Sequence, residues 1–215
     1  MDITFLGTQG TVGAYHEGYP GWTIAAFMGA SSPFYYGGAF NFGTYMSTHS
    51  YTGVDYVFVH LGINDLFTYT TDAEVVAASV GMLADLETMI ASIHAYDANI
   101  NIGIMLTIPP SFTQDAFGAS YYSGYTRWRN KRNTVVYAAQ LIEHFKGRTV
   151  TDKIHLVPVN LTLDTVNNMS SASATPVNSR STVTVTRQSN GVHPAVQGYN
   201  QMADTVYAFL KCQET

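Results

Sequence analysis

Cysteine is almost absent. Cys212 is the only one in 215 residues, so no disulfide framework can staple this chain. Charge is scarce as well: charged residues make up 12%, about half the usual share. Ten basic side chains face fifteen acidic ones, for a formal net charge of −5. A protein that grips a nucleic-acid backbone needs the opposite balance, so no nucleic-acid partner is expected. No uninterrupted apolar run approaches the ~20 residues of a membrane-crossing helix, and no membrane partner is expected. The first residues lack a basic start followed by an apolar stretch, so no signal peptide is visible. What the chain does have is 46% hydrophobic residues, which excludes disorder over most of its length. At 23.5 kDa it has the size of one α/β domain and can bury roughly 70% of the surface of its unfolded chain. Eighteen glycines and fifteen tyrosines suggest a polar, weakly charged surface. Many secreted or virion-borne proteins share that composition, and an extracellular or virion-associated setting is the expectation.

Short apolar runs alternate with amphipathic stretches. Ile3 to Leu6, Val54 to Leu61, Ile102 to Ile108 and Ile154 to Val159 read as strands. Pro158 inside the last argues for an edge or a bend. Thr71 and Glu74 have the spacing of a capping box, and Val76, Val80, Leu83, Leu86, Ile90 and Ile93 then form one helical stripe. Tyr122 to Phe145 is a second helical segment. It carries Arg127, Arg129, Lys131 and Arg132, read either as a solvated face or as a carbohydrate- or phosphate-facing patch. A last helix runs from about Ala195 to Lys211, with Tyr199, Met202, Ala203, Val206 and Leu210 on one face. Residues 165–191 form a polar excursion in which Val183 to Thr186 could be a short strand. The whole of 1–215 reads as a single domain. Strands alternating with crossover helices imply a parallel sheet covered on both faces. Ligands of such sheets bind beyond the carboxyl ends of the strands.

Three signals fall at those ends. Gly62-Ile63-Asn64-Asp65 follows the second strand, where a fixed carboxamide can donate to a developing oxyanion; alone it is equally a turn built by Asn and Asp. Asn190-Gly191-Val192-His193-Pro194 opens the last helix, where a histidine can serve as a general base or simply cap and pack. His16-Glu17-Gly18-Tyr19-Pro20-Gly21-Trp22 is a glycine-rich turn before a helix expected at Thr23 to Met28. Its glycine N–H could be a second oxyanion donor.

The order and spacing of the three resemble the SGNH (GDSL-type) hydrolases, in the branch of acetyl-xylan-esterase-like and phage-associated enzymes. Phe5-Leu6-Gly7-Thr8-Gln9, the His16 to Gly18 turn, Gly21-Trp22, the Gly62 to Asp65 block, His193-Pro194, Gly198-Tyr199 and Ala203-Asp204 carry the likeness, which covers nearly the whole chain. The resemblance implies a three-layer α/β/α flavodoxin-like parallel sheet. It makes Gly21 and Asn64 oxyanion-hole donors and His193 the base that activates a serine. The reaction implied is removal of O-acetyl groups from carbohydrate through an acyl-enzyme, with acylated carbohydrate as the substrate and no cofactor.

Two positions depart from the family. Its first block, a strand followed by Gly-Asp-Ser, has no counterpart in these residues; the Ile3 strand matches the family's second. Aligning Gly7 to Thr11 with the first block instead would make Thr8 or Thr11 a stand-in nucleophile. Otherwise the resemblance implies that an upstream segment or another chain supplies the first strand and the serine, or that the sheet has been rebuilt without that strand. Asn190 stands where the family has an aspartate that orients the histidine, and an asparagine cannot stabilise an imidazolium as a carboxylate does. These departures keep open a catalytically degenerate domain that binds glycan or builds a virion or cell-surface assembly. His16 and Glu17 lack a third ligand at suitable spacing, so no metal is expected. His60, His94, His144 and His155 read as packed or surface histidines, and Asp65 as a structural hydrogen-bonder. The aromatic group Phe34, Tyr35, Tyr36, Phe40, Phe42 and Tyr45 reads as core or as a sugar-stacking wall.

Overall fold

Three of the four apolar runs pair into one parallel sheet. In the computed structural model, which describes residues 2–120, 125–175 and 180–213, β3 (Tyr56–Val59), β4 (Asn101–Met105) and β5 (Ile154–Val157) lie in that order. Val57 registers with Ile102 and Ile104 with Leu156. Side chains alternate across a sheet, and two cores result. Val57, Val59, Ile102, Ile104, Ile154 and Leu156 enter one core with α3 (Asp72–Tyr96) and α5 (Arg127–Phe145). Phe58, Met105 and Val157 enter the other with Met202, Val206 and Phe209 of α8 (Val196–Gln213). Gly103 makes this second layer possible, because a Cβ there would lie 2.5 Å from the Phe58 ring. The fold is therefore α/β, a three-stranded parallel sheet with helices on both faces.

Shorter pieces complete the chain. Before the sheet come α1 (Ile24–Met28), the two-residue strands β1 (Tyr35–Tyr36) and β2 (Ala39–Phe40), and α2 (Phe42–Thr48). Between its strands lie α4 (Asp115–Ser120) and α6 (Thr149–Asp152). After it come α7 (Val159–Thr162) and an antiparallel pair, β6 (Ser171–Ala174) with β7 (Val185–Gln188). The polar excursion is thus a hairpin rather than a plain loop, and its second strand starts two residues later than the sequence suggests. Phe34, Phe40, Phe42 and Tyr45 are buried in the main core, while Tyr35 and Tyr36 are half-buried. Core packing is the role of this group, not an open sugar-stacking wall.

Several expectations need correction. Ile3 to Leu6 is not a strand: none of residues 2–7 pairs in a sheet, and Ile3 and Phe5 are exposed. Its backbone finds no neighbouring strand, and an unpaired run is not a β-strand whatever its pattern. The outer edge of β3 consequently has no strand partner among the described residues. In α3 the buried stripe is Val75, Ser79, Met82, Leu86, Met89, Ile90 and Ile93. Val76 and Val80 point outward, because the first two turns carry apolar residues all round. By length and composition α3 could cross a membrane, although the sequence showed no uninterrupted run of that kind; here it packs on α5, α2 and α1. In α8 Tyr199 and Ala203 are exposed. The start expected for the second helix, residues 122–124, lies outside the described residues. Pro158 caps α7 just beyond β5, which is an edge strand as the proline suggested.

Candidate active site

The carboxamide of Asn64 is set by a tight exit from β3. Gly62 adopts φ +109°, and a Cβ there would lie 2.3 Å from the Tyr137 ring. Only glycine fits both demands. The chain then makes one 3₁₀ turn, Asn64–Leu66. Asn64 Nδ2 donates to the Trp22 carbonyl at 2.9 Å, and the Asp65 carboxylate accepts from Ile24 N at 3.1 and 3.2 Å. Together these bonds lock the turn to the Gly21-Trp22 segment. Gly21 has φ +78° with open space where a Cβ would project. The Asn64 amide has no second acceptor among the described residues, and its bond to Trp22 O sets it beside the residue that follows Gly21. Asn133 on α5, fully buried, braces the turn from below. Its Nδ2 donates to Leu66 O at 2.8 Å and Tyr69 O at 3.0 Å, while its Oδ1 accepts from Arg129 Nε at 2.6 Å.

The turn before Gly21 is held by one carboxylate. Glu17 accepts from Thr8 N at 2.6 Å, Thr8 Oγ1 at 3.0 Å, Tyr19 OH at 2.7 Å and Tyr45 OH at 2.6 Å. Burial, then the Glu17 carboxylate, pushes the Tyr45 phenol well above its ordinary range. His16 Nδ1 accepts from Gly18 N at 2.9 Å. Thr8 is thereby committed to Glu17, and Glu17 is a structural hub. No group of three or more metal-binding side chains occurs among the described residues.

His193 lies in the turn between β7 and α8. Ser111, six residues beyond β4, donates its N–H to Gly191 O at 2.8 Å. The histidine's turn is thus tied to the segment that follows β4, while Asn64 lies in the turn that follows β3. Gly198 lets α8 start close against this turn, since a Cβ would meet Asn168 O at 2.6 Å and Pro194 Cβ at 2.7 Å. His193 itself is exposed. Asn190 Oδ1 accepts from Val192 N at 3.0 Å and His193 N at 2.9 Å. That fixes which end of the amide is which, so Nδ2, 3.1 Å from His193 Nδ1, is a donor to it. His193 Nδ1 is then an acceptor, and the ring's proton resides on Nε2. This is the opposite of the arrangement an aspartate would impose.

Two ionisable groups near the β3 exit are shifted by burial. The Asp65 carboxyl is pushed up to about 6, against the pull of its bonds from Ile24 and its own backbone. His60 is pulled down to about 4 by burial, and its Nε2 has no partner among the described residues. Of the expected site residues, Gly21 lies beside the Asn64 turn, which follows β3, and Asn190 joins His193 in the turn between β7 and α8. Asn133 and Glu17 are the residues that sequence reasoning missed as supports; the first lies 67 and 64 residues from the two carbonyls it holds. A surface depression of about 380 Å³ lies at the other, amino end of the sheet, lined in part by Glu87, His94, Arg148 and Asp152. Arg148 is paired there with both Glu87 and Asp152, so the depression offers no spare charge.

No family model matches the chain, and no curated protein does. A solved structure from Streptococcus pneumonia, provisionally described as a platelet activating factor, is similar at 18% identity with a TM-score of 0.49. The alignment covers 88% of this chain and 69% of that one.

Proposed function

We propose that the chain is a single ester-hydrolase domain of the SGNH type, acting on acylated carbohydrate and removing O-acetyl groups. The paired donors at Gly21 and Asn64 carry this reading. In the proposed reaction the neutral His193 ring first moves its proton from Nε2 to Nδ1, giving up its bond from the Asn190 amide; a serine hydroxyl then attacks the acetyl carbonyl carbon and gives its proton to the vacated Nε2. The oxyanion is held by the Gly21 N–H and the free Asn64 amide hydrogen, each such donor being worth roughly 2.7–4 kcal/mol of barrier. The sugar hydroxyl leaves with the proton from the imidazolium, and water then releases acetate from the acyl-serine. The serine and the family's first strand come from an upstream segment or from another chain, the open edge of β3 being where that strand would pair. The test is acetate release from p-nitrophenyl acetate and acetylated xylan by the protein as encoded, with any upstream segment present, beside His193→Ala. Release that disappears in the variant supports the reading, and equal release from both overturns it.

The tautomer of His193 favours a second reading. For Nε2 to take a proton from a hydroxyl, Nδ1 must already carry one, and there it would face the Asn190 amide hydrogens. A glycan-binding or structural module derived from the hydrolase would tolerate this. Saturable glycan binding without acetate release would establish it.

A further inference from the structure

We propose that Arg127 is an anion-recognising subsite of the same rim, taking a sugar that carries a carboxylate or sulfate group. The inference rests on the carbohydrate part of the proposed function and not on its chemistry. Arg127 opens α5 and is 8% exposed. Arginines so deeply buried are almost always paired. Its neighbours Arg129 and Arg132 are: both bind Asp72, at 3.0 and 2.8 Å. The Arg127 guanidinium has no carboxylate and no hydrogen-bond acceptor among the described residues. Asp115, the acidic residue next in the adjoining segment, lies 3.9 Å from Arg187 instead. The first turn of a helix adds its own positive potential, which makes an unpaired cation there costlier and an incoming anion more welcome.

What the guanidinium does have is aromatic surface. Its central carbon lies 3.6 Å from the Trp128 ring centroid and 5.2 Å from that of Phe112. Stacking engages the flat face of the group, and its in-plane N–H donors, which have no acceptor among the described residues, present the geometry that grips a carboxylate with two parallel bonds. Trp128 is 63% and Phe112 52% exposed, so both offer apolar ring surface to solvent beside a cation. A pyranose presents the matching pair, a C–H face for a ring and a charged substituent for the edge. The place is also right. Phe112 follows Ser111, which holds the His193 turn through Gly191. Thr113 N donates to Gln188 Oε1 at 2.7 Å, and Gln114 Oε1 accepts from Arg127 N at 2.9 Å. Residues 111–114 thus tie the start of α5 to the strand and turn that carry His193.

The test is calorimetric titration of the full chain at low salt with trigalacturonate, galactose 6-sulfate and neutral xylotriose, on wild type, Arg127→Gln and Arg127→Lys. Saturable trigalacturonate binding is expected, weakened about tenfold or more in Arg127→Gln and less in Arg127→Lys. Any xylotriose binding should be unchanged in either variant. Binding of the sulfated sugar alone supports the anion site and identifies its ligand as tetrahedral. Equal trigalacturonate affinity in wild type and a folded Arg127→Gln overturns the proposal, as does failure of the wild type to bind either acidic probe. Should Arg127→Gln melt below the wild type, the Arg127→Lys comparison decides, and equal affinities there count against the subsite. Binding without acetate release leaves the subsite standing and removes only the hydrolytic reading.

Discussion

At the scale of single residues, one atom of one side chain decides how His193 can act. An asparagine and an aspartate at position 190 would accept the same two backbone N–H bonds, from Val192 and His193. They differ only in what the remaining atom offers to Nδ1. Nitrogen resonances of the imidazole should therefore report a proton on Nε2 in the wild type and on Nδ1 in Asn190→Asp. A wild-type proton on Nδ1 would contradict the wiring. If the protein as encoded releases acetate, Asn190→Asp should raise the rate by about 10²-fold or more, since the reverse exchange in a serine protease triad costs about 10⁴. Asp65 offers a second residue-scale test. Its folded value of about 6 lies above its ordinary 3.8, so the folded state holds this proton more tightly than the unfolded one. The resulting stability is fully present below about pH 3.8 and lost as the pH rises through about 6. Asn at this position keeps an oxygen for Ile24 N and removes the titration. Urea melts of Asp65→Asn should show a flatter pH dependence between 4 and 6.5 than the wild type. Identical slopes would mean that the carboxyl is not held out of water.

At the scale of elements, the turn after β3 is the part most sensitive to small changes. Gly62→Ala would drive a methyl into the fully buried Tyr137 ring while forcing a left-handed backbone on alanine. A loss of about 2–4 kcal/mol is expected by chemical denaturation, and a loss under 0.5 kcal/mol would show that the turn relaxes freely. Local signals of this kind were legible. The capping box at Thr71 and Glu74 forms as spaced, with Glu74 N bonded to Thr71 Oγ1 at 3.2 Å and Thr71 N to Glu74 Oε2 at 2.8 Å. The glycine at the strand exit and the asparagine after it were also readable, because a few neighbouring residues set such turns. The buried stripe of α3 was misplaced by one position at its start, since Val75 and Val76 are adjacent valines and only packing chooses between them. Asn133 could not be found at all. A polar residue in a helix looks the same from its neighbours whether it faces water or clamps a turn. The basic run on α5 likewise hid two fates: Arg129 and Arg132 neutralise Asp72 and hold it down to about 2, while Arg127 is buried on a ring.

At the scale of the whole molecule, the least legible feature was which strands would find partners, because pairing depends on residues far away in the chain. Ile3 to Leu6 has a strand's composition and none of a strand's pairing, while β3 presents an edge without a strand partner among the described residues, all four of its residues half-buried. Such an edge is normally covered or blunted. In this arrangement Phe5, half exposed, contributes little. Phe5→Ser should then change stability by less than about 0.5 kcal/mol, while Ile104→Ala, at the centre of the sheet, should cost about 2–5 kcal/mol. The comparison also discriminates assemblies. A strand seated between residues 3–6 and β3 would bring Phe5 into the sheet's own packing. The same serine substitution would then become costly only when the segment or chain that supplies the strand is present. Denaturation of wild type and Phe5→Ser, each with and without that segment, separates the cases. A large loss in the isolated chain means that residue 5 is already inside a sheet, and a small loss in both settings means that the edge of β3 is not where a strand joins.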